Sequence, residues 1–230
     1  MDWQKLTYAG LLLFTISVPL IRSFEHRIGY ARKWKFMAPG LAVTAGLFII
    51  WDVIFTRNDV WHFNPDYVTG IYLMHLPIEE WLFFLCIPFA CIFIYEVLNY
   101  FFKDFHFPRL SIGITSFLLL GSLMLAVTNY DRTYTFVNSV FASIVLGAQL
   151  LLRTHRTYLS KFYRAYLVGI IPFLLVNGVL TALPVVTYNN AENLAFRVYT
   201  IPVEDFAYYL SLFLMNLNFY EYFKSRSAQS

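Results

Sequence analysis

The sequence predicts an all-α, polytopic membrane protein: about seven transmembrane helices, arranged as two parallel three-helix repeats joined by a linking helix. Two observations carry that expectation. Of the residues, 59% are hydrophobic and 13% charged, and the apolar ones fall in long uninterrupted runs. The chain also says the same thing twice. Pro77-Ile78-Glu79-Glu80-Trp81-Leu82-Phe83-Phe84 returns at a constant offset of 125 residues as Pro202-Val203-Glu204-Asp205-Phe206-Ala207-Tyr208-Tyr209. The same offset carries Asp52 onto Asn177, Asn64 onto Asn189 and Tyr95-Glu96 onto Tyr220-Glu221.

Taken in order, the apolar runs are Leu6–Ile21, Phe36–Phe55, Ile78–Leu98, Ser111–Thr128, Tyr134–Leu152, Ala165–Leu183 and Ile201–Leu217. Each lies near the ~17–25 residues that a bilayer demands of a helix. The first is followed by Arg22-Ser23-Phe24-Glu25-His26-Arg27 rather than by a small-residue cleavage site, and so reads as a retained span. Equivalent spans are separated by an even number of helices, so the halves run in the same direction. The repeats are expected over residues 1–104 and 131–230, with the linking helix in 105–130. Parallel repeats favour a ligand site between the halves. With the N-terminus outside, only Lys5, Arg57, Arg132 and Arg197 of the 17 lysines and arginines face outward. That distribution predicts a multi-pass cell-membrane protein with its C-terminus in the cytoplasm. It accounts for the net charge of +3 through lipid headgroups, without nucleic acid. Cys86 and Cys91 sit five residues apart on one span, off each other's face, and are expected to be reduced packing residues.

The duplicated acids are the candidates for chemistry. Proline and acidic residues favour a helix start, and that alone explains many such motifs. Here, however, fully apolar spans follow at once, and ionisable groups at such positions are costly. Phe83 and Tyr208 fall four residues after Glu79 and Glu204, as Phe84 and Tyr209 do after Glu80 and Asp205, which puts a ring on each acid's helical face. Desolvation and like-charge crowding favour the neutral form of a carboxyl group, whereas the helix dipole opposes it. Two carboxyls held in different charge states form the recurring arrangement for acid and base work. Trp81, Phe83, Phe84, Tyr208 and Tyr209 can offer ring faces to a cation. Aromatic belts at membrane surfaces have the same composition. Asp52 and Asn177 close the preceding spans at the level of the acids. Glu96 and Glu221, at the far ends of the motif helices, are expected to pair with local lysine or arginine. His62-Phe63-Asn64-Pro65-Asp66 reads as a structured loop, and no metal site is expected.

Several classes are excluded. There is no Gly-x-Gly fingerprint or phosphate loop, no repeated Asp-rich element for diphosphate-bound magnesium, and no lysine inside a span for a retinal Schiff base. What remains is proton chemistry without a cofactor on a substrate delivered by the lipid. The runners-up are a small transporter of 3+1+3 plan and a non-catalytic membrane protein that binds the same lipid-borne molecule. A transporter of that plan needs matching helix-breaking prolines, and Pro39 and Pro88 have no aligned partners.

These residues resemble a known family. The first half carries Trp51-Asp52, Trp61-His62-Phe63-Asn64-Pro65-Asp66-Tyr67, Gly70, Leu76-Pro77-Ile78-Glu79-Glu80, Phe83-Phe84, Pro88 and Tyr95-Glu96. The second carries Asn177-Gly178, Thr181, Pro184-Val185-Val186-Thr187-Tyr188-Asn189, Arg197 and Ile201-Pro202-Val203-Glu204-Asp205-Phe206. The pattern is similar to the integral-membrane lycopene cyclases of the heterodimeric bacterial type, with both subunits fused in one chain. One departure is Ala195, where the first copy has Gly70. The resemblance implies a carotenoid cyclase, an intramolecular lyase or isomerase of carotenoid biosynthesis. It would close lycopene ψ-ends into β-ionone rings, giving β-carotene through γ-carotene. Removal of a different proton would give ε or γ ends instead. It further implies Glu79 and Glu204 as the principal acid–base pair, with Glu80 and Asp205 setting their charge state and Asp52 and Asn177 orienting them. Which copy is acid and which base stays open, as does assembly into a homo-oligomer.

Overall fold

The computed structural model describes residues Trp3–Ser227. Seven long helices dominate it: α1 (Thr7–Arg22), α2 (Trp34–Arg57), α3 (Ile78–Phe101), α4 (Pro108–Thr128), α5 (Thr133–Leu151), α6 (Leu159–Ala182) and α7 (Glu204–Ser227). Six are long and apolar enough to cross a membrane, among the described residues. The exception is α7, which is as long but carries two acids at its start and Glu221, Lys224 and Arg226 near its end. The sequence places this span ten residues short. Its polar groups are tolerated because the bundle encloses them: Thr44 donates to Asn216 at 2.8 Å, Tyr158 to Asn218 at 2.8 Å, and Tyr220 to Glu96 at 2.7 Å. The segment Ile201–Pro202 is strand rather than helix.

The repeats interlock. Within each, the first helix packs on the third, α1 on α3 and α5 on α7. Across the halves α2 packs on α7 and α3 on α6, so α3 and α7 occupy the centre and hold most of the buried core. The linking helix α4 lies against α5 and α6 and buries only Ser111, Thr115 and Ala126.

The loops at the motif end carry the duplication into hydrogen bonds. Strands β1 (Trp61–Phe63) and β4 (Val186–Tyr188) form an antiparallel ribbon between the halves, with His62 opposite Thr187. Those two residues are equivalents at the 125-residue offset, so the pseudo-twofold passes between them. Outside the ribbon the exchange is reciprocal: the Asn64 amide donates to Val185 O and the Asn189 amide to Val60 O, both at 2.9 Å. Each motif is then preceded by a hairpin, β2 (Tyr72–Leu73) with β3 (Leu76–Pro77), and β5 (Arg197–Val198) with β6 (Ile201–Pro202). Ala195 adopts φ 55° where Gly70 has φ 86°, so both copies keep a left-handed residue at this turn. The Gly-to-Ala departure costs strain without changing the path of the chain.

At the α2–α7 crossing a Cβ added to Gly40 would lie 2.7 Å from Phe219 Cβ, so this crossing demands glycine. Gly40→Val should cost about 1–3 kcal/mol by overpacking. Thermal unfolding in detergent should show a lower midpoint, and an unchanged midpoint would refute the close approach.

Candidate active site

The motif acids divide by helical geometry. Adjacent helical residues point about 100° apart, so Glu79 and Glu80 cannot share an environment, nor can Glu204 and Asp205. Glu79 and Glu204 turn to the loops. Glu79 Oε1 accepts from the Thr69 amide at 2.7 Å, and Glu204 Oε1 accepts from the equivalent Leu194 amide at 2.7 Å and from Thr135 Oγ1 at 2.7 Å. Neither lines the cleft between the repeats. The expectation that these two form the principal pair meets a geometry in which they anchor the hairpin loops.

Glu80 and Asp205 instead face one cleft between the repeats, with about 100 Å³ of free space, lined from α1, α2 and α3 on one side and α5, α6 and α7 on the other. Along α3 the lining runs through Glu80, Phe83, Ile87, Ala90, Cys91 and Ile94, a single helical face. At ~1.5 Å per residue it reaches about 21 Å from the acids toward mid-bundle. On α7 the corresponding residues are Asp205, Tyr208, Tyr209 and Leu212. After Glu80 the cleft ring comes three residues on, at Phe83, whereas after Asp205 the rings three and four residues on, Tyr208 and Tyr209, both line the cleft. Helical spacing permits both three and four, and only packing chooses between them.

Asp52 and Asn177 also line the cleft, each beside the acid of its own repeat. Asn177 Nδ2 donates to Asp205 Oδ2 at 2.7 Å. Asp52 holds the equivalent place in the first repeat, its buried carboxyl beside that of Glu80. Each acid also accepts a phenol from the first helix of its repeat: Tyr8 donates to Glu80, and Tyr134 to Asp205 Oδ1 at 2.5 Å. Tyr188 of β4 donates to Asp205 Oδ2 at 2.9 Å. Burial, reinforced by the neighbouring Asp205 carboxyl, pushes the Tyr188 phenol well above its ordinary pKa and keeps it a donor. Tyr208 stands within electrostatic reach of Asp52, Glu80 and Asp205, and its buried hydroxyl has no partner among the described residues.

The expected aromatic residues divide in the same way. Phe83, Tyr208 and Tyr209 line the cleft. Phe84 is fully buried against Phe48, with centroids 5.9 Å apart, and Trp81 donates from Nε1 to Leu73 O at 3.2 Å in the hairpin. Residues missed by sequence reasoning supply the rest of the wall. Trp61, Tyr134 and Tyr188 form a ring cluster, with Trp61 5.2 Å from Tyr134 and Tyr134 stacked on Tyr188 at 5.9 Å. Tyr8 and Tyr134 are equivalent in role but separated by 126 positions, so a comparison at the fixed offset passes over them. A one-residue slip in the alignment of α1 with α5 reveals them.

At the opposite end Glu96 pairs with Lys33 and, at 2.7 Å, with Lys224, as expected of an interfacial acid. Cys86 and Cys91 are free, and the Cys91 thiol meets Tyr209 Oη at 3.6 Å.

A bundle of membrane-spanning helices with buried carboxyls facing an oily inter-repeat cleft defines a class: a polytopic membrane protein with an acid-lined site open to lipid-soluble molecules. A family model described as lycopene cyclase matches residues 5–98 and 131–223, one segment in each repeat. The chain belongs to the lycopene cyclase family and is a carotenoid cyclase. No curated protein and no solved structure matches it significantly.

The loop anchors can be tested without reference to activity. Glu79→Ala frees the Thr69 amide from a bond to a carboxylate contributing about 1.5–3 kcal/mol. Hydrogen exchange in residues 64–77 should accelerate roughly tenfold or more. Unchanged protection, read by mass spectrometry, would show that the carboxylate does not hold the loop.

Proposed function

We propose that this protein converts lycopene ψ-ends into β-ionone rings, forming β-carotene through γ-carotene, by acid–base catalysis that needs no cofactor. The observation that carries the reading is the pair Glu80 and Asp205, one from each repeat, at the head of a single apolar cleft. The chemistry asks for little more. Protonation at C2 places a cation at C1; the C5–C6 double bond attacks it, and loss of a proton from C6 completes the ring. Protons balance and nothing is oxidised or reduced, so the reaction is an isomerisation.

The cleft suits each requirement. Phe83, Tyr188, Tyr208 and Trp61 surround its acid end with ring faces that favour a cation in a site of low polarity. The remaining lining, Ile87, Ala90, Ile94, Val176, Leu180 and Leu212 among it, matches a hydrocarbon chain. In this reading Glu80 and Asp205 carry the proton chemistry, Asp52 and Asn177 set their charge and aim, and Glu79 and Glu204 position the loops that roof the site. The substrate enters from the bilayer. The distribution of lysine and arginine puts the acid end at the outer face, with the C-terminus in the cytoplasm.

The experiment is expression in lycopene-accumulating cells, followed by extraction and separation of pigments. Glu80→Gln and Asp205→Asn should each lower ring formation by about 10²–10⁴-fold, with the protein still in the membrane. Glu79→Gln and Glu204→Gln retain an oxygen for the loop amides and should keep most activity. Near-normal rings from Glu80→Gln and Asp205→Asn, or the reverse ranking, would overturn the assignment.

A further inference from the structure

The two halves of the site are built on one plan, but equivalent positions carry different groups: Asp52 against Asn177, Phe63 against Tyr188 and Phe83 against Tyr208. In the second half the hydrogen-bond partners of Asp205 are neutral donors: Tyr134 at 2.5 Å, Asn177 at 2.7 Å and Tyr188 at 2.9 Å. A carboxylate accepting three such bonds is satisfied as an anion without a proton of its own. It also lies in the first turn of α7, where the helix dipole favours negative charge. In the first half the place of Asn177 is taken by Asp52, whose carboxyl meets that of Glu80. Two carboxylates side by side have no hydrogen to share, so a buried pair at rest is satisfied by one shared proton. Tyr8 supplies the phenol donor to Glu80 in this half, and the buried Asp52 Oδ2 has no hydrogen-bond partner among the described residues. Burial of both carboxyls disfavours a doubly ionised pair at rest, and the cation formed as the proton leaves makes that state reachable during the step.

We propose that the repeats have divided the reaction: the Asp52–Glu80 pair stores the proton and delivers it to C2, and Asp205 is the standing anion that faces the cation and removes the C6 proton. The proposal rests on the cyclase reading and decides which copy is acid and which is base. The step balances. The carboxyl pair gives up one proton as the C1–C6 bond closes, Asp205 accepts one as the C5–C6 double bond is restored, and net charge in the cleft is unchanged. The proton then has to return from the second half to the first. Tyr208, whose unpartnered hydroxyl faces both acids, stands on that path, and its counterpart Phe83 has no hydroxyl to offer.

The difference Asp52 against Asn177 also supplies the variant. Asp52→Asn gives the first half the amide that the second half already accommodates, so the bundle has a place for it. Membranes bearing the wild type, Asp52→Asn, Glu80→Gln or Asp205→Asn are incubated with lycopene in deuterium oxide. Recovered substrate and product are then analysed by mass spectrometry, with equal membrane levels of each protein established by immunoblot. The wild type should place one deuterium at C2 of each ring. Asp205→Asn has its acid but no base, so the cation can only return its C2 proton to the carboxyl pair, and recovered lycopene gains deuterium. Asp52→Asn and Glu80→Gln cannot protonate the substrate, and their lycopene should carry at least tenfold less label than that from Asp205→Asn. Label from the first-half variants equal to or above that from Asp205→Asn, or unlabelled lycopene from Asp205→Asn, overturns the division. A wild type that forms no ring at all fails the cyclase reading itself, which is a separate result.

Discussion

A carboxyl group removed from water must be given partners, and that requirement organises this molecule. Seven acidic side chains lie on α2, α3 and α7 within or beside apolar spans, and their partners come from other elements. Glu79 and Glu204 take backbone amides from loops; Glu80 and Asp205 take phenols from α1 and α5. At the far end Glu96 holds two lysines, and the two repeats exchange donors: Tyr95 gives its hydroxyl to Glu221 at 2.8 Å, and Tyr220 gives its own to Glu96 at 2.7 Å. Each of these bonds ties a helix to a loop or to another helix, so satisfying the acids also assembles the bundle.

The consequence is a molecule fastened at both ends and open in the middle. The β1–β4 ribbon joins the halves at the motif end, and the tyrosine–glutamate exchange joins them at the other. Between these fastenings the α2–α7 and α3–α6 contacts hold the repeats together, and the cleft runs along α3, α6 and α7. In a bilayer an oily cleft between helices has no hydrophobic drive to collapse, because the lipid outside is as apolar as the wall. Rings fill its acid end and leave a pocket where charge can develop away from water.

Duplication also made chemical asymmetry cheap to acquire. The loop anchors, ribbon and hairpins are conserved between the copies because each supports the fold. Asp52 and Asn177 differ by a single functional group at a place where the fold tolerates either. That one substitution changes what the neighbouring acid meets: a second carboxyl beside Glu80, or an amide donor to Asp205.

Much of this was legible in the residues. Long apolar runs have few alternatives to membrane helices, since a bilayer leaves backbone groups no other way to bond. Six of the seven helices follow from that fact, and the seventh was shortened because α7 hides its polar residues inside the bundle, where hydropathy no longer reports location. The duplicated acids with Asp52 and Asn177 mark the right neighbourhood for the same reason: charge is kept in lipid only where it has a use. Which of two adjacent acids faces the cleft was beyond the sequence. Neighbours on a helix point about 100° apart, and the packing of α3 between α1, α2 and α6 selects the face. The roles of Tyr8, Tyr134, Tyr188 and Trp61 were likewise illegible, because these residues come from other elements and reach the acid end of the cleft only through tertiary packing. Local chemistry and spacing thus determined the class, the duplication and the candidate acids. Their division between loop and cleft belongs to tertiary contacts, because the amides, phenols and Asn177 that meet them come from distant elements of the same repeat.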